Sequence, residues 1–423
     1  MAGDVALLLR RAGFGPTAAE IAAARQVGYA PTLATLLTPP GPDIGATQAP
    51  IPAFGPDPYV GVRAQDQRAR AQADERRRSQ ASALGRWWLD RMTVSSHEAV
   101  EKLVFFWHGH WATSITKVKS AQLMLRHHRT IRDNAGDVAR LAHRMVVDPA
   151  LVYWLDGHLN TRQAPNENLA RELFELFLLG IGRYDEADVK RAAQALTGWQ
   201  IDLAEERSVF VPSRHRTGVK TVLGVTGRLG ADELVDLLLR DRACPRFIAS
   251  RLWFRYASSA RPIPEDVRER MVEAFPNTLA MLRTLFEAEA FQATAGTMVK
   301  QPVEWLVGAM RQLRVRPRLA TTETMTQILD GLSGLGQRPF APPSVGGWPS
   351  GAAWLTSAAA HVRLRLAAKL ARLLVPDPLT PEDVAHILGI DRWTDRTYAV
   401  LRGVTNARLL LTLGMVSPEY LVT

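Results

Sequence analysis

The sequence predicts an all-α protein, a multi-helix globular domain with one small β-hairpin insertion near residues 208–224. Three observations lead there. Apolar residues recur at three- and four-residue spacing in most stretches between the Pro and Gly punctuation, as amphipathic helices require. Hydrophobic content of 47% with 22% charged residues suits a packed globule and argues against wholesale disorder. The helical period lapses only between Gly198 and Gly227, where Ser208-Val209-Phe210-Val211 and Thr221-Val222-Leu223 read as two short strands around the polar 213–218 turn.

In chain order, helical pattern occupies residues 4–37 and stops at Pro39-Pro40. The Pro- and Gly-rich stretch 39–58 is expected to hold no regular structure. A long arginine-rich helix follows over 62–92, with Trp87-Trp88 as its anchor on the core. Ser96 suits the start of the next helix, which runs through Phe105, Phe106 and Trp107. Further helices are expected at 121–134, 137–147, 166–179 and 186–196. After the strands they resume at 231–239, 245–256, 264–287, 302–313, 323–332, 354–374, 381–388, 395–401 and 406–413. No fixed internal period points to a solenoid. The organisation read from this pattern is residues 1–94 as N-terminal helices with the 39–58 linker, packed on a main helical domain of residues 95–423 that carries the site.

The formal net charge is +10, with 52 Lys and Arg against 42 Asp and Glu. The excess is arginine, since only Lys102, Lys117, Lys119, Lys190, Lys220, Lys300 and Lys369 are lysines. Arginines concentrate on the 62–92 helix, but acids are interspersed and no aromatic reading motif accompanies them, so nucleic acid is not an expected partner. A single cysteine, Cys244, excludes an internal disulfide framework and any multi-cysteine metal site, and it reads as inert packing. No apolar run reaches the ~18–20 residues that span a bilayer. The start of the chain shows no export signal, so the expected location is cytoplasmic.

Residues 165–179 carry the strongest functional signal. On an α-helical wheel they are apolar nearly all round, yet Glu167, Glu172 and Glu175 sit among the leucines and phenylalanines, which places acids in a core. Buried carboxylates need an arginine, a metal or a proton. Glu167, Arg171 and Glu175 at i, i+4 spacing also suit a plain salt-bridge ladder, which leaves Asn168 and Glu172 as the better site candidates. Pro165 and Asn166 suit the helix start. His108-Gly109-His110 falls where the preceding aromatic helix is expected to stop at glycine. If extended, the two imidazoles point the same way and make a ligand pair; if helical, they diverge by about 200°.

Elsewhere, Asp185 reads as a helix N-cap. His215 and Lys220 flank a basic turn, Arg214 to Lys220, that suits an anionic ligand or plain solvent. The polar loop 154–160 with Asn160 lies ahead of the acidic helix. The stretch 337–349 is too apolar for an ordinary exposed loop and suits a pocket cover, with Trp348 as a stacking wall. His127, His128 and His143 lie among arginines and are expected at the surface.

These segments together resemble the bacterial domain of unknown function 1800 family along nearly the whole chain. The matching residues are Leu9-Arg10-Arg11-Ala12-Gly13-Phe14-Gly15-Pro16-Thr17, Phe106-Trp107-His108-Gly109-His110, Leu155-Asp156-Gly157 with Asn160, and Pro165-Asn166-Glu167-Asn168-Leu169-Ala170-Arg171-Glu172. Glu175-Leu176, Leu196-Thr197-Gly198-Trp199 and Pro342-Pro343-Ser344-Val345-Gly346-Gly347-Trp348 follow in order. The resemblance implies a mostly helical fold and, in many exported relatives, a neighbouring gene for a sulfatase-like protein as partner. It implies no reaction. The chain departs by lacking the export signal and by having His215-Arg216 where relatives tend to have His-Asp.

The function expected from these residues is a hydrolase. Its metal-assisted form uses His108, His110 and Glu172 to hold zinc, manganese or iron, with Asn168, Glu175 and His215 as catalytic groups and Trp348, Lys220 and Asn160 against the substrate. A metal-free form uses Glu172 as an acid on a polar polymer such as a glycan. The alternative is a non-catalytic partner or scaffold whose buried polar residues only fix the helix arrangement.

Overall fold

The helix Glu98–His110 is buried along almost its whole length in the computed structural model, which describes residues 3–373 and 378–423. Around it the architecture is all-α, with only two small two-stranded antiparallel sheets among the described residues. The long helix Gln67–Val94 crosses it and packs also on Ala121–Asn134, Pro302–Gln312 and Thr322–Gly334. Trp87 and Trp88 anchor it as expected, 6% and 0% exposed, and the Trp87 indole donates to the Ala49 carbonyl at 3.0 Å.

Burial alone does not hold the centre together. The Glu304 carboxylate lies between the Lys102 ammonium at 2.5 Å and the Arg255 guanidinium at 2.7 Å. It also accepts the Gln301 backbone N–H, which closes the start of the 302–312 helix. Burial pushes its carboxyl up, but Arg255 and Lys102 outweigh that and hold it down, to about 2. Lys102 donates as well to the Gly13 carbonyl, and the buried Arg11 spends its donors on the carbonyls of Tyr256, Ala257, Thr294 and Thr423. Three helices and the N-terminal segment are thus tied at one charged point.

Several elements differ from the sequence expectation. The 39–58 stretch holds a short helix, Ile44–Thr47, because Asp43 caps it and also accepts from Ser95 and Ser96 at the end of the long helix. Gly45 is needed there, since a Cβ would lie 1.8 Å from the Val94 carbonyl. The expected 264–287 helix is two, Glu265–Glu273 and Thr278–Glu287, broken at Pro276, where a helix interior loses a donor. The expected two strands do not pair with each other. Trp199–Asp202 pairs with Arg207–Phe210 and Lys220–Val222 with Val225–Gly227, so two tight hairpins replace one wide one. Residue 374, the expected end of the 354–374 helix, lies outside the described residues; the helix found is Ser357–Arg372. Cys244 is buried and its thiol is pushed up to about 12 by burial, in keeping with inert packing. No helix among the described residues is long and apolar enough to cross a membrane.

Replacing Glu304 by Gln leaves two buried cations without their counter-charge, and urea unfolding is expected to show a loss of about 3–5 kcal/mol. The carboxyl is held below its ordinary 4.5, so its contribution is full above that pH and fades as pH falls toward 2. A loss below about 1 kcal/mol would mean that Lys102 and Arg255 find other partners.

Candidate functional site

The acidic helix does not keep the period that its wheel assumes. Asn168–Glu172 is regular, with the Asn166 side chain accepting the Asn168 N–H at 3.0 Å. From Leu173 to Leu178 it widens into a π-helix, and the Leu179 and Gly180 N–H groups both reach back to the Phe174 carbonyl at 3.0 and 2.9 Å. The wider turn sends Leu173, Phe174, Phe177 and Leu178 inward and leaves Glu172, Glu175 and Leu176 at a half-exposed edge. The carboxylates are therefore not in the core, and Asn168 is exposed. Glu167 and Arg171 pair at 3.1 Å, Arg171 and Glu186 at 2.8 Å, and Glu175 stands 3.7 Å from Arg171. The salt-bridge ladder is real. Among the described residues Glu172 joins neither that ladder nor any other ion pair; burial, then the Glu175 charge, raises its carboxyl.

Below this turn opens a cleft of about 790 Å³, walled by the π-helix, the end of the 98–110 helix, the helix Ala243–Tyr256 and the loop at Val345-Gly346. Glu175 and His110 line it together with Arg183, Arg242, Arg246, Phe247, Ser250, Arg251 and Arg268. Arg183 is answered by Asp241, and Arg246 and Arg268 by Glu265. Arg242 and Arg251 have no ion pair or hydrogen bond among the described residues. Arg251 has its Nε buried, a Phe254 ring 5.7 Å from its guanidinium, and a pKa lowered by desolvation. A cation stripped of water and left unpaired is costly, and an anion relieves that cost.

The 98–110 helix continues through both histidines instead of stopping at Gly109, so the two rings point to different sides. Gly109 serves close approach: the Gly347 backbone packs on its carbonyl and Trp348 covers it, stacked on Phe105 at 5.2 Å and 19°. Trp348 therefore seals the helix, while Val345 and Gly346 of the same loop border the cleft. On the cleft side, the His110 Nε2–H donates to the Phe177 carbonyl at 2.8 Å, a carbonyl in the last helical turn with no N–H of its own helix to accept. Burial, then the nearby Arg251, lowers His110 to about 3, so the ring is neutral.

His108 faces the opposite way, into a box of Trp88, Phe340, His127 and His128. His127 and His128 are 0% and 1% exposed, contrary to the expected surface position, because the 121–134 helix turns this edge toward Trp87 and Trp88. Asp148 takes the His127 Nδ1 at 2.9 Å. His143 is half-buried between Asp232 and Asp236. His108, His110 and Glu172 do not gather into one ligand set, and among the described residues no group of three or more His, Cys, Asp or Glu is placed to hold a metal.

The remaining candidates stand apart from the cleft. Asn160 is 1% exposed and joins the Ala193 carbonyl to the Asn166 N–H. His215 binds the Thr197 carbonyl at 2.9 Å and packs on Phe210, and the buried Lys220 reaches the Gly218 carbonyl. Asn160 ties the loop before the acidic helix to the end of the 186–195 helix, His215 ties the turn to Thr197, and Lys220 closes its own turn.

Residues 7–422 match the family model described as "Protein of unknown function (DUF1800)". The chain belongs to that family. No curated protein and no solved structure matches it. In this DUF1800 member the cleft arginines had a signal in the sequence: Arg242, Arg246 and Ser250 follow at i, i+4, i+8 from the N-cap of the 243–256 helix, with Arg251 next to Ser250.

His108, His110 and His128 are all lowered by burial, the first and last well below the ordinary 6.5. The unfolded chain takes up their protons near 6.5 and the folded one does not, so stability is full above that pH and falls as the solution is acidified. Each imidazole contributes a slope of about 1.4 kcal/mol per pH unit. Unfolding free energy is expected to drop between pH 7 and pH 5, and His110→Phe to flatten that slope by about one imidazole's share. An unchanged slope in the variant would show that His110 is accessible to protons in the fold.

Proposed function

We propose that the protein is a hydrolase of small ligands that carry a phosphate, sulfate or carboxylate group, bound in the cleft under the π-helix. The Arg251 guanidinium supports this reading most directly, because it has no ion pair or hydrogen bond among the described residues of the cleft. Arg251 pairs with the anionic group in a low-dielectric setting where a charge-assisted bond is strong, and the exposed Arg242 draws the ligand toward the mouth. Glu175 is the one carboxylate among the described residues of the lining; its ion pair with Arg171 is long, and with Tyr184 hydrogen-bonded to it the carboxylate takes a proton from an attacking water. His110 is a positioning residue that holds the Phe177 end of the π-helix and thereby the edge that carries Glu175. The metal-assisted form relied on His108, His110 and Glu172, which the fold keeps apart, so Glu175 and the arginines carry the proposal.

Thermal unfolding in sulfate, phosphate and acetate, each matched in ionic strength with chloride, tests binding. At about 100 times Kd, a ligand that binds only the folded state adds about 2.7 kcal/mol. That gain is expected in the wild type and in Glu175→Gln and is expected to vanish in Arg251→Met. An equal response in Arg251→Met would remove the anion site. Nitrophenyl phosphate, sulfate and acetate esters then test turnover, with Glu175→Gln expected to lose about 10²–10⁴-fold.

A further inference from the structure

Lys300 is not part of that cleft; beside it Val299 and Val422 form an antiparallel bridge, and the Lys300 N–H donates to the Leu421 carbonyl at 2.8 Å. The residue is 8% exposed and lines a separate cavity of about 150 Å³ with Arg10, Gln312, Arg392, Glu419 and Tyr420. Its Nζ stands 3.6 Å over the Tyr420 ring and has no hydrogen bond or ion pair among the described residues. The carboxylates around it are already engaged. Glu304 binds Lys102 and Arg255, Asp391 binds Arg10 and Arg25, and Glu419 accepts from Thr394 and Thr397. Tyr420 is fixed in turn by its hydroxyl donating to Gln312 at 2.7 Å. The amine is held in one place, walled by protein and without a counter-ion.

We propose that Lys300 is a nucleophilic amine that captures a small carbonyl compound bearing a carboxylate, as an imine. The Nζ lone pair attacks the carbonyl carbon and forms the C–N bond. The carbonyl oxygen then takes up protons and leaves as one water, with no change of oxidation state. Arg392, which has no ion pair among the described residues, supplies the positive charge that attracts the carboxylate, Arg10 being held by Asp391, and the Tyr420 face stabilises the cationic iminium. The cavity holds about five waters at liquid volume, which limits the ligand to the size of glyoxylate or pyruvate. Burial, then Arg10, lowers the ammonium to about 7, so much of the amine is neutral at physiological pH.

The test uses the full chain at pH 7.5 with glyoxylate and cyanoborohydride for short times, read by peptide mapping. With only seven lysines in the chain, each site is resolved. Lys300 is expected to be alkylated at least about tenfold faster than the exposed Lys119 and Lys190. Arg392→Ala is expected to slow trapping of glyoxylate but not of the uncharged propionaldehyde. Labelling of Lys300 at or below the rate of Lys119 and Lys190 in the wild type would overturn the proposal and leave Lys300 as a packing partner of Tyr420.

Discussion

The arrangement depends on one buried carboxylate. Glu304 is joined to Lys102 on the 98–110 helix and to Arg255 on the 243–256 helix, and it caps its own helix through Gln301. Buried charges of this kind are poor sources of net stability but demanding about geometry, because any slip leaves an ion unpaired. The consequence reaches the cleft. His110 lies eight residues beyond Lys102, and Arg251 lies four residues before Arg255, so each pairs with its ion-cluster neighbour by helical spacing. The contact that sets the register of the two helices also sets the distance between the walls of the cleft.

The third wall comes from a departure from regular helix. A helix that ran on at 3.6 residues per turn past Glu172 would carry the same leucines and phenylalanines, but the widened turn moves Glu175 to the cleft and leaves the Phe177 carbonyl for His110. Such π turns occur often at functional sites because the extra residue re-aims side chains without breaking the helix. Here it separates two acids three residues apart: Glu175 meets the arginine wall, whereas Glu172 stands outside it.

The fold class and most helices were legible in the sequence because each is encoded locally. The apolar period, the Asp185 and Asn166 caps and the Trp87-Trp88 anchor all act within a few residues of where they stand. Misreadings came where a distant contact overrode local chemistry. Asp43 finds Ser95 and Ser96 and nucleates a helix in a Pro-rich stretch; His127 and His128 look polar and solvated until Trp87 and Trp88 cover them. The two strand segments were recognised, but pairing depends on which neighbour is nearest in space, and each found one closer than the other.

The sequence by itself determined an all-helical member of its family and the helices on which its acids and most of its histidines lie. Tertiary structure decided which of them share a site. His110, Glu175 and Arg251 come from three separated segments, and His108, two residues from His110, belongs to a different compartment. Periodicity reports which side of a helix is inward, whereas the partner that side meets is set by long-range packing and by the buried ion cluster. Arg251 illustrates the difference: within its helix it is one more arginine, and only the fold half-buries it and leaves it without an ion pair among the described residues.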